Sequence, residues 1–246
     1  MGRRYAKSPI IEVVCEFRVD PATPWDLTTP GFIYEKISET FPHRESRVMQ
    51  EVEITQQHGE VRQEVRSQER ALFLAEDRRR FVQVGRHMLA VNALAPYPTW
   101  EVFFPLVEQA LDALAGTADI EGLQRIGLRY INHIDIPSPG VRVDEYLEFR
   151  PYLGERLPRE VAEFLLTCIL PFAGGRDLCR VQSARSMTGE EDRNATRFVL
   201  DLDYFLAKPA VRLGKALEWV RAAHERAVEA FEGCITDKAR ELFGEA

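Results

Sequence analysis

The 246-residue chain has few cysteines and no long apolar run. Its four cysteines, Cys15, Cys168, Cys179 and Cys234, are widely spaced, and none forms a Cys-x-x-Cys pair. That spacing argues against a disulfide framework and against a clustered zinc site, and it leads us to expect buried, reduced thiols in a cytoplasmic protein. No stretch of about 18 apolar residues is present, so no membrane-spanning helix is expected. The N-terminus, Met1-Gly2-Arg3-Arg4, is basic but leads into no apolar segment, so no signal peptide is expected either. Gly2 is followed by Ala6 where a myristoylation signal needs Ser or Thr. Catalytic signatures are missing too. There is no G-x-S-x-G, Walker A, H-E-x-x-H or G-x-G-x-x-G pattern, and no cofactor or metal is expected. Gly174-Gly175-Arg176 is too short for a phosphate loop and reads as a turn.

What the chain does carry is an acidic, ordinary globular composition. Its 39 Asp and Glu exceed its 32 Lys and Arg, for a net charge of −7. Such a chain repels nucleic-acid phosphates unless its cations are segregated into a patch. The length suits one large domain or two closely packed halves.

Hydrophobic periodicity alternates between two and near four along the chain. Val13, Cys15, Phe17 and Val19 alternate with Glu12, Glu16 and Arg18, which is a strand with one apolar face. Ile33, Ile37 and Phe41 give a short helix between Pro30 and Pro42. Residues 47–57 alternate again, His58-Gly59 reads as a turn, and residues 60–68 read as a polar edge strand. Residues 71–91 read as a hairpin. Residues 100–115 form a helix with Phe103, Phe104, Val107, Leu111 and Leu114 facing inward, Thr99 as its cap and Gly116 as its stop. Pro105 is expected to kink that helix or delay its start.

Residues 123–136 form a second alternating strand, with Arg125, Arg129, His133 and Asp135 on its polar face. Residues 143–150 are a short helix or strand. Residues 160–169 carry helical spacing, 179–187 read as a strand, and 188–194 as a polar turn. Residues 197–206 alternate once more, with Asp201 and Asp203 on the polar side. A long helix over 213–231, ended by Gly233, and a short one capped by Thr236 complete the chain. The fold class is therefore α+β: two similar strand-rich halves, 1–116 and 117–246, of mostly antiparallel sheet packed by long helices. Gly116 to Gly122 is the expected seam.

Three stretches carry a resemblance: Pro9-Ile10-Ile11-Glu12-Val13-Val14-Cys15-Glu16-Phe17-Arg18, Gly127-Leu128-Arg129-Tyr130-Ile131-Asn132-His133-Ile134-Asp135-Ile136-Pro137, and Phe231-Glu232-Gly233-Cys234-Ile235-Thr236-Asp237. With these motifs, in this order, the chain resembles a sporadically distributed family of uncharacterised bacterial proteins. The resemblance carries no catalytic residues. The family's patchy distribution is like that of mobile elements and antiviral defence operons, which implies an interaction or regulatory protein with a partner encoded nearby.

The residues themselves offer two candidate surfaces. Glu12 and Glu16, then Arg129, His133 and Asp135, then Asp201 and Asp203, each share one strand face. Residues two apart on a strand lie roughly 6–7 Å apart on the same side. If the strands are neighbours, these groups line one surface able to bind a metal, a phosphate or a polar ligand, as in a ligand-binding or metal-dependent enzyme domain, with His133 and Asp135 as the candidate catalytic pair. The alternative is a solvated face with cross-strand ion pairs, such as Arg129 with Asp201 or Glu16. The second surface is Arg78, Arg79 and Arg80, with Arg86 and His87 beyond, which offers RNA phosphate contacts with Phe81 stacking; the alternative is a solvated turn neutralised by Glu76 and Asp77. His224 falls on the apolar stripe of the long helix and reads as a core or interface histidine. Trp100, Trp219, Phe103 and Phe104 face either their own core or another chain.

Overall fold

The computed structural model describes residues 4–57, 60–117, 120, 122–158, 161–185, 195–208 and 211–244, with the backbone alone over 49–57 and 60–67. In chain order the described elements are β1 (Ile10–Val19), α1 (Thr29–Ile37), β2 (His43–Gln57), β3 (Glu60–Leu74), β4 (Arg80–Gly85), β5 (Met88–Leu94), α2 (Trp100–Ala115), β6 (Leu123–Ile136), β7 (Phe164–Phe172), β8 (Asp177–Arg185), β9 (Thr196–Leu206), α3 (Ala216–Cys234) and α4 (Asp237–Phe243). The strands form one sheet in the order β2-β3-β4-β5-β1-β6-β9-β8-β7. Every neighbouring pair is antiparallel. The fold is α+β, and no helix among the described residues is long and apolar enough to cross a membrane.

The alternation in β1 is the reason it lies at the centre. Val13, Cys15, Phe17 and Val19 are all buried, and their partners across the ladders, such as Val91 and Leu128 beside Cys15, are buried with them. Full burial of a Val or Phe contributes about 1.5–3 kcal/mol, so this row anchors both flanking strands. Ile126, Leu128, Tyr130, Ile134 and Ile136 of β6 and Phe198, Leu200, Leu202, Tyr204 and Leu206 of β9 continue the same buried face. The helices cover that face. Ile33 and Ile37 of α1, Phe103, Val107, Leu111 and Leu114 of α2, and Trp219, Val220, Ala223 and Ala227 of α3 belong to its core. Among the described residues the opposite face carries no helix.

A buried carboxylate fastens α3 to the sheet. Asp177, at the start of β8, is 2% exposed. It accepts hydrogen bonds from Trp219 Nε1 at 3.0 Å and Tyr204 OH at 3.2 Å, and from Arg176 Nε at 3.0 Å and Nη2 at 2.6 Å. The guanidinium and two neutral donors together compensate the charge that burial would otherwise penalise. Trp219, Phe103 and Phe104 therefore face their own core. Trp100 stacks on the His224 ring at 3.9 Å, and Tyr130 OH lies 2.8 Å from His224 Nδ1. Burial lowers the pKa of His224 to about 4, so the ring is neutral at pH 7.

The structure corrects several expectations. Residues 164–172 are strand β7, not helix. Val161, Leu165 and Cys168 have helical spacing, but a short run that is apolar on both sides fits a strand equally, and periodicity alone does not separate the two. Residues 60–68 belong to β3 and pair with β2, while β3 meets β4 only over Ala71–Leu74, so among the described strands this polar segment has a partner on one side, as expected. Pro105 does not delay α2, which starts at Trp100; the proline sits on the exposed side of the helix. There the carbonyl it leaves without an amide donor can meet water. Thr99 has a φ of 90° and no side-chain capping bond, and the helix opens instead on the Phe103 N–H donating to the Thr99 carbonyl at 3.0 Å. Gly233 lies inside α3, which runs to Cys234. Thr236 caps α4 as expected, accepting from the Ala239 N–H. Val143–Glu145 is one 3-10 turn, followed by a bridge from Leu147 to Ile235. The turns at 58–59 and 188–194 lie outside the described residues, as does part of the seam between Gly116 and Gly122.

Replacing Asp177 with Ala leaves the Trp219 and Tyr204 donors buried without an acceptor. Urea unfolding of D177A should show a loss of about 2–4 kcal/mol, with a Trp emission change if α3 loosens. The cysteines give a second test. Cys15, Cys179 and Cys234 are buried and Cys168 is partly exposed. Burial raises all three buried thiols, Cys179 and Cys234 to about 12. Native protein titrated with an aromatic disulfide reagent at mildly alkaline pH should therefore release one fast thiol equivalent, and four once denatured.

Candidate functional site

The helix-free face of the sheet gathers the charges that the alternating strands leave on their polar side. Strands β1, β6 and β9 are consecutive neighbours, so their registers align: Glu16, Gly127 and Phe205 form one row, Val14, Arg129 and Asp203 the next, and Glu12, Ile131 and Asp201 a third. Arginine is long enough to bridge rows diagonally. Arg129 Nε donates to Asp201 Oδ1 at 2.8 Å and its Nη2 to Asp201 Oδ2 at 2.5 Å. Arg125 Nη1 donates to Glu16 Oε1 at 2.7 Å, and its Nη2 to Asp203 Oδ2 at 3.0 Å. Glu16 also accepts from Arg18 Nε at 2.8 Å, and Arg180 Nη1 stands 3.7 Å from Asp203. Glu12 accepts from Asn92 Nδ2 at 2.7 Å, and Asn92 in turn from Gln83 Nε2 at 2.9 Å.

A missing side chain shapes this network. A Cβ at Gly127 would lie 2.7 Å from Arg125 Nη1. The guanidinium occupies the space above that glycine and packs against the Phe205 ring, 4.9 Å from its centroid. The long arginines roof the carboxylates, which is how Asp201 and Asp203 come to be buried on a face without helices.

The two central carboxylates respond in opposite directions. Burial pushes Glu16 up, but the hydrogen bonds and charges of Arg18 and Arg125 outweigh it and hold its pKa below the usual range. Burial pushes Asp203 above that range; Arg125, Arg180 and Arg129 only partly offset it, and the neighbouring Asp201 adds to the rise. Arg129 is held above its usual value chiefly by its hydrogen bonds to Asp201.

Glu12, Glu16, Arg129, Asp201 and Asp203, all expected from the sequence, thus share one surface. His133 and Asp135 lie further along β6, with His133 four residues or about 13 Å from Arg129. The Asp135 carboxylate accepts from Arg197 Nε at 2.5 Å. Burial first, then the Arg197 charge, lowers the His133 pKa, with Asp135 opposing. The basic cluster is split in two. Arg78, Arg79 and Arg80 stand at the β3–β4 turn, where Arg78 pairs with Glu45 at 2.9 Å, Arg79 donates to the Ala95 carbonyl at 3.1 Å and Arg80 pairs with Asp77 at 3.0 Å. Arg86 and His87 stand at the other end of β4, roughly 20 Å away. Among the described residues no group of three or more His, Cys, Asp or Glu is placed to hold a metal ion.

Sequence reasoning missed Arg18, Arg125 and Arg180 as members of the network, although the first two sit on the same period-two faces as Glu16 and Arg129. It also missed Asn92, whose signal was a lone polar residue within Leu89-Ala90-Val91-Asn92-Ala93-Leu94. No protein-family model matches the chain, and no curated protein matches it.

Arg125→Met should cost about 2–3 kcal/mol in chemical denaturation, because it strips the shared cation from two largely buried carboxylates. Adding Asp203→Asn should restore part of that loss, a coupling that a double-mutant cycle measures. The pH dependence follows from Glu16. Its folded pKa is depressed, so its ion pairs stabilise fully above the ordinary 4.5 and that stability is lost as pH falls through the lower folded value. Glu16→Gln should flatten the acid limb of the stability–pH curve by the same amount.

Proposed function

We propose that this chain is a cytoplasmic binding protein that acts by taking an extended segment of another protein onto the free edge of its sheet, as an interaction or regulatory component. The observation that carries this reading is strand β7. Its sequence, Phe164-Leu165-Leu166-Thr167-Cys168-Ile169-Leu170-Pro171-Phe172, holds no charge, and it is the last strand of the sheet. Leu165 is 69% exposed, Ile169 52% and Leu170 41%. Folded proteins blunt open edges with charge or cover, because an uncharged edge recruits other strands. Exposed apolar residues on a strand that has no second strand neighbour among the described residues suit strand addition, where the main chain gives affinity and alternate side chains give specificity. The connector before β7 adds Tyr152 and Leu157, both exposed.

The charged network of the bare face supports a structural role for itself. Its four carboxylates, Glu12, Glu16, Asp201 and Asp203, are already engaged by Arg18, Arg125, Arg129, Arg180 and Asn92. A two-half plan, 1–116 and 117–246, fits the same reading. In its support, β1 and β6 each pair with the last strand of their own run, and the remaining strands of each run follow in reverse order. One run would then supply the frame and the other the free edge. The resemblance to a patchily distributed bacterial family adds the expectation that the partner is encoded nearby, as in a mobile or antiviral defence operon.

Native mass spectrometry of the chain co-expressed with its genomic neighbours tests this. The expected result is a stoichiometric complex that Leu165→Glu with Ile169→Lys abolishes, while free-chain stability stays within about 0.5 kcal/mol because both sites are exposed. A bare chain, or a complex indifferent to the double substitution, overturns the reading.

A further inference from the structure

The open edge carries a pattern of its own. Side chains of β7 alternate between the two faces of the sheet. Phe164 packs against Phe198, with ring centroids 6.3 Å apart, and Phe172 against Tyr204 at 5.4 Å, so both ends of the strand turn to the covered face. Leu166, Cys168 and Leu170 lie between them on that face, and Leu165, Thr167, Ile169 and Pro171 on the other. Outward from Cys168, the covered row is Leu and then Phe in both directions. The opposite row sets Thr167 against Ile169, and Leu165 against Pro171, at equal distances from the same centre. No charge falls anywhere in the nine residues.

The edge is presented as a preformed strand. β7 pairs with β8 along its whole length, from Phe164 opposite Arg185 to Phe172 opposite Asp177. The connector that leads into β7 is tied to β8 as well: Ser183 Oγ donates to the Phe149 carbonyl at 2.9 Å, and Arg185 Nη1 to the Val161 carbonyl at 2.5 Å. Thr167, Ile169 and Leu170 are exposed, and Cys168 is partly exposed.

A strand that is symmetric about its central residue is self-complementary in the antiparallel sense. A two-fold axis through Cys168 lays one β7 against another with Leu166 opposite Leu170, Phe164 opposite Phe172 and Cys168 opposite its own copy. On the other face Thr167 meets Ile169. No like charges are brought together in that pairing. Such an interface is closed, because the same edge is used on both copies.

We infer that, when no partner segment occupies it, β7 pairs with β7 of a second copy of this chain, so that self-pairing and partner binding exclude one another. The inference rests on the reading of β7 as the binding edge and adds its regulation. One strand edge is a small interface, of the class that buries less than about 1,200 Å² and dissociates readily. Its dissociation constant is on the order of 10 µM. A partner that adds contacts beyond the main chain displaces one copy and leaves a one-to-one complex.

Sedimentation velocity of the chain alone over about 1–100 µM, a range that brackets this constant, should show monomer converting to dimer. Two double substitutions at exposed positions test the register. Thr167→Glu with Ile169→Glu sets like charges directly opposite and should leave the chain monomeric throughout. Thr167→Glu with Ile169→Lys sets opposite charges face to face and should keep the dimer. Circular dichroism melting curves show that both variants fold. In the unsubstituted chain, diamide should oxidise two Cys168 thiols to a disulfide, itself taking up their two hydrogens, and a denaturing, non-reducing gel should show a doubled mass. Residues directly opposite stand about 4.5–5.5 Å apart, within disulfide reach. A chain that stays monomeric up to about 100 µM overturns the inference, even where the complex with a neighbour-encoded partner forms. A dimer indifferent to the like-charge pair, or lost equally in both variants, overturns it too. A dimer with the expected charge pattern supports it even where no partner complex is found, a result that overturns the partner reading alone.

Discussion

The pairing of β1 with β6 is the interaction on which the rest of the molecule depends. β1 takes β5 on one side and β6 on the other, so it alone joins the strands β2–β5 to the strands β6–β9. The core is continuous across that junction only because Val13, Cys15 and Phe17 meet Tyr130, Leu128 and Ile126 on the covered face. On the bare face the same register sets Glu16 over Gly127 and Val14 beside Arg129. A one-residue slip would put every apolar side chain in water and every charge in the core. One register thus fixes both the hydrophobic layer and the ion-pair network.

The two faces use opposite physics. The covered face is non-directional: apolar area leaves water, and helices of suitable stripe width fill it. The bare face is directional. Arg125 bridges acids from two different strands, and it can do so because one neighbouring position has no side chain. Such a network contributes little if its members are solvated and is costly to break once they are shielded. Here the arginines shield the very acids they pair with.

Much of this was legible in the sequence wherever one side of a strand faces the core and the other does not. β1, β6 and β9 announced themselves by strict alternation, and with them the shared faces of Glu12, Glu16, Arg129, Asp201 and Asp203. β7 did not, because it is an edge strand with apolar residues on both sides, and alternation vanishes when neither side differs from the other. The partners within the network were half legible: the alternation places Arg125 on the right face, but only the strand order tells that β9 lies beside β6 and that Asp203 is within its reach.

The central place of β1 has a temporal consequence. β1 is made before every other strand of this sheet, and both parts of the sheet must join through it. β5 reaches it only after about seventy to eighty further residues are synthesised and β6 after more than a hundred, so during translation both edges of β1 wait without a strand partner. Pairings this distant in sequence carry a loop-closure cost before any contact repays it, which slows folding. A chain laid out in this order completes its core late, and close to all at once.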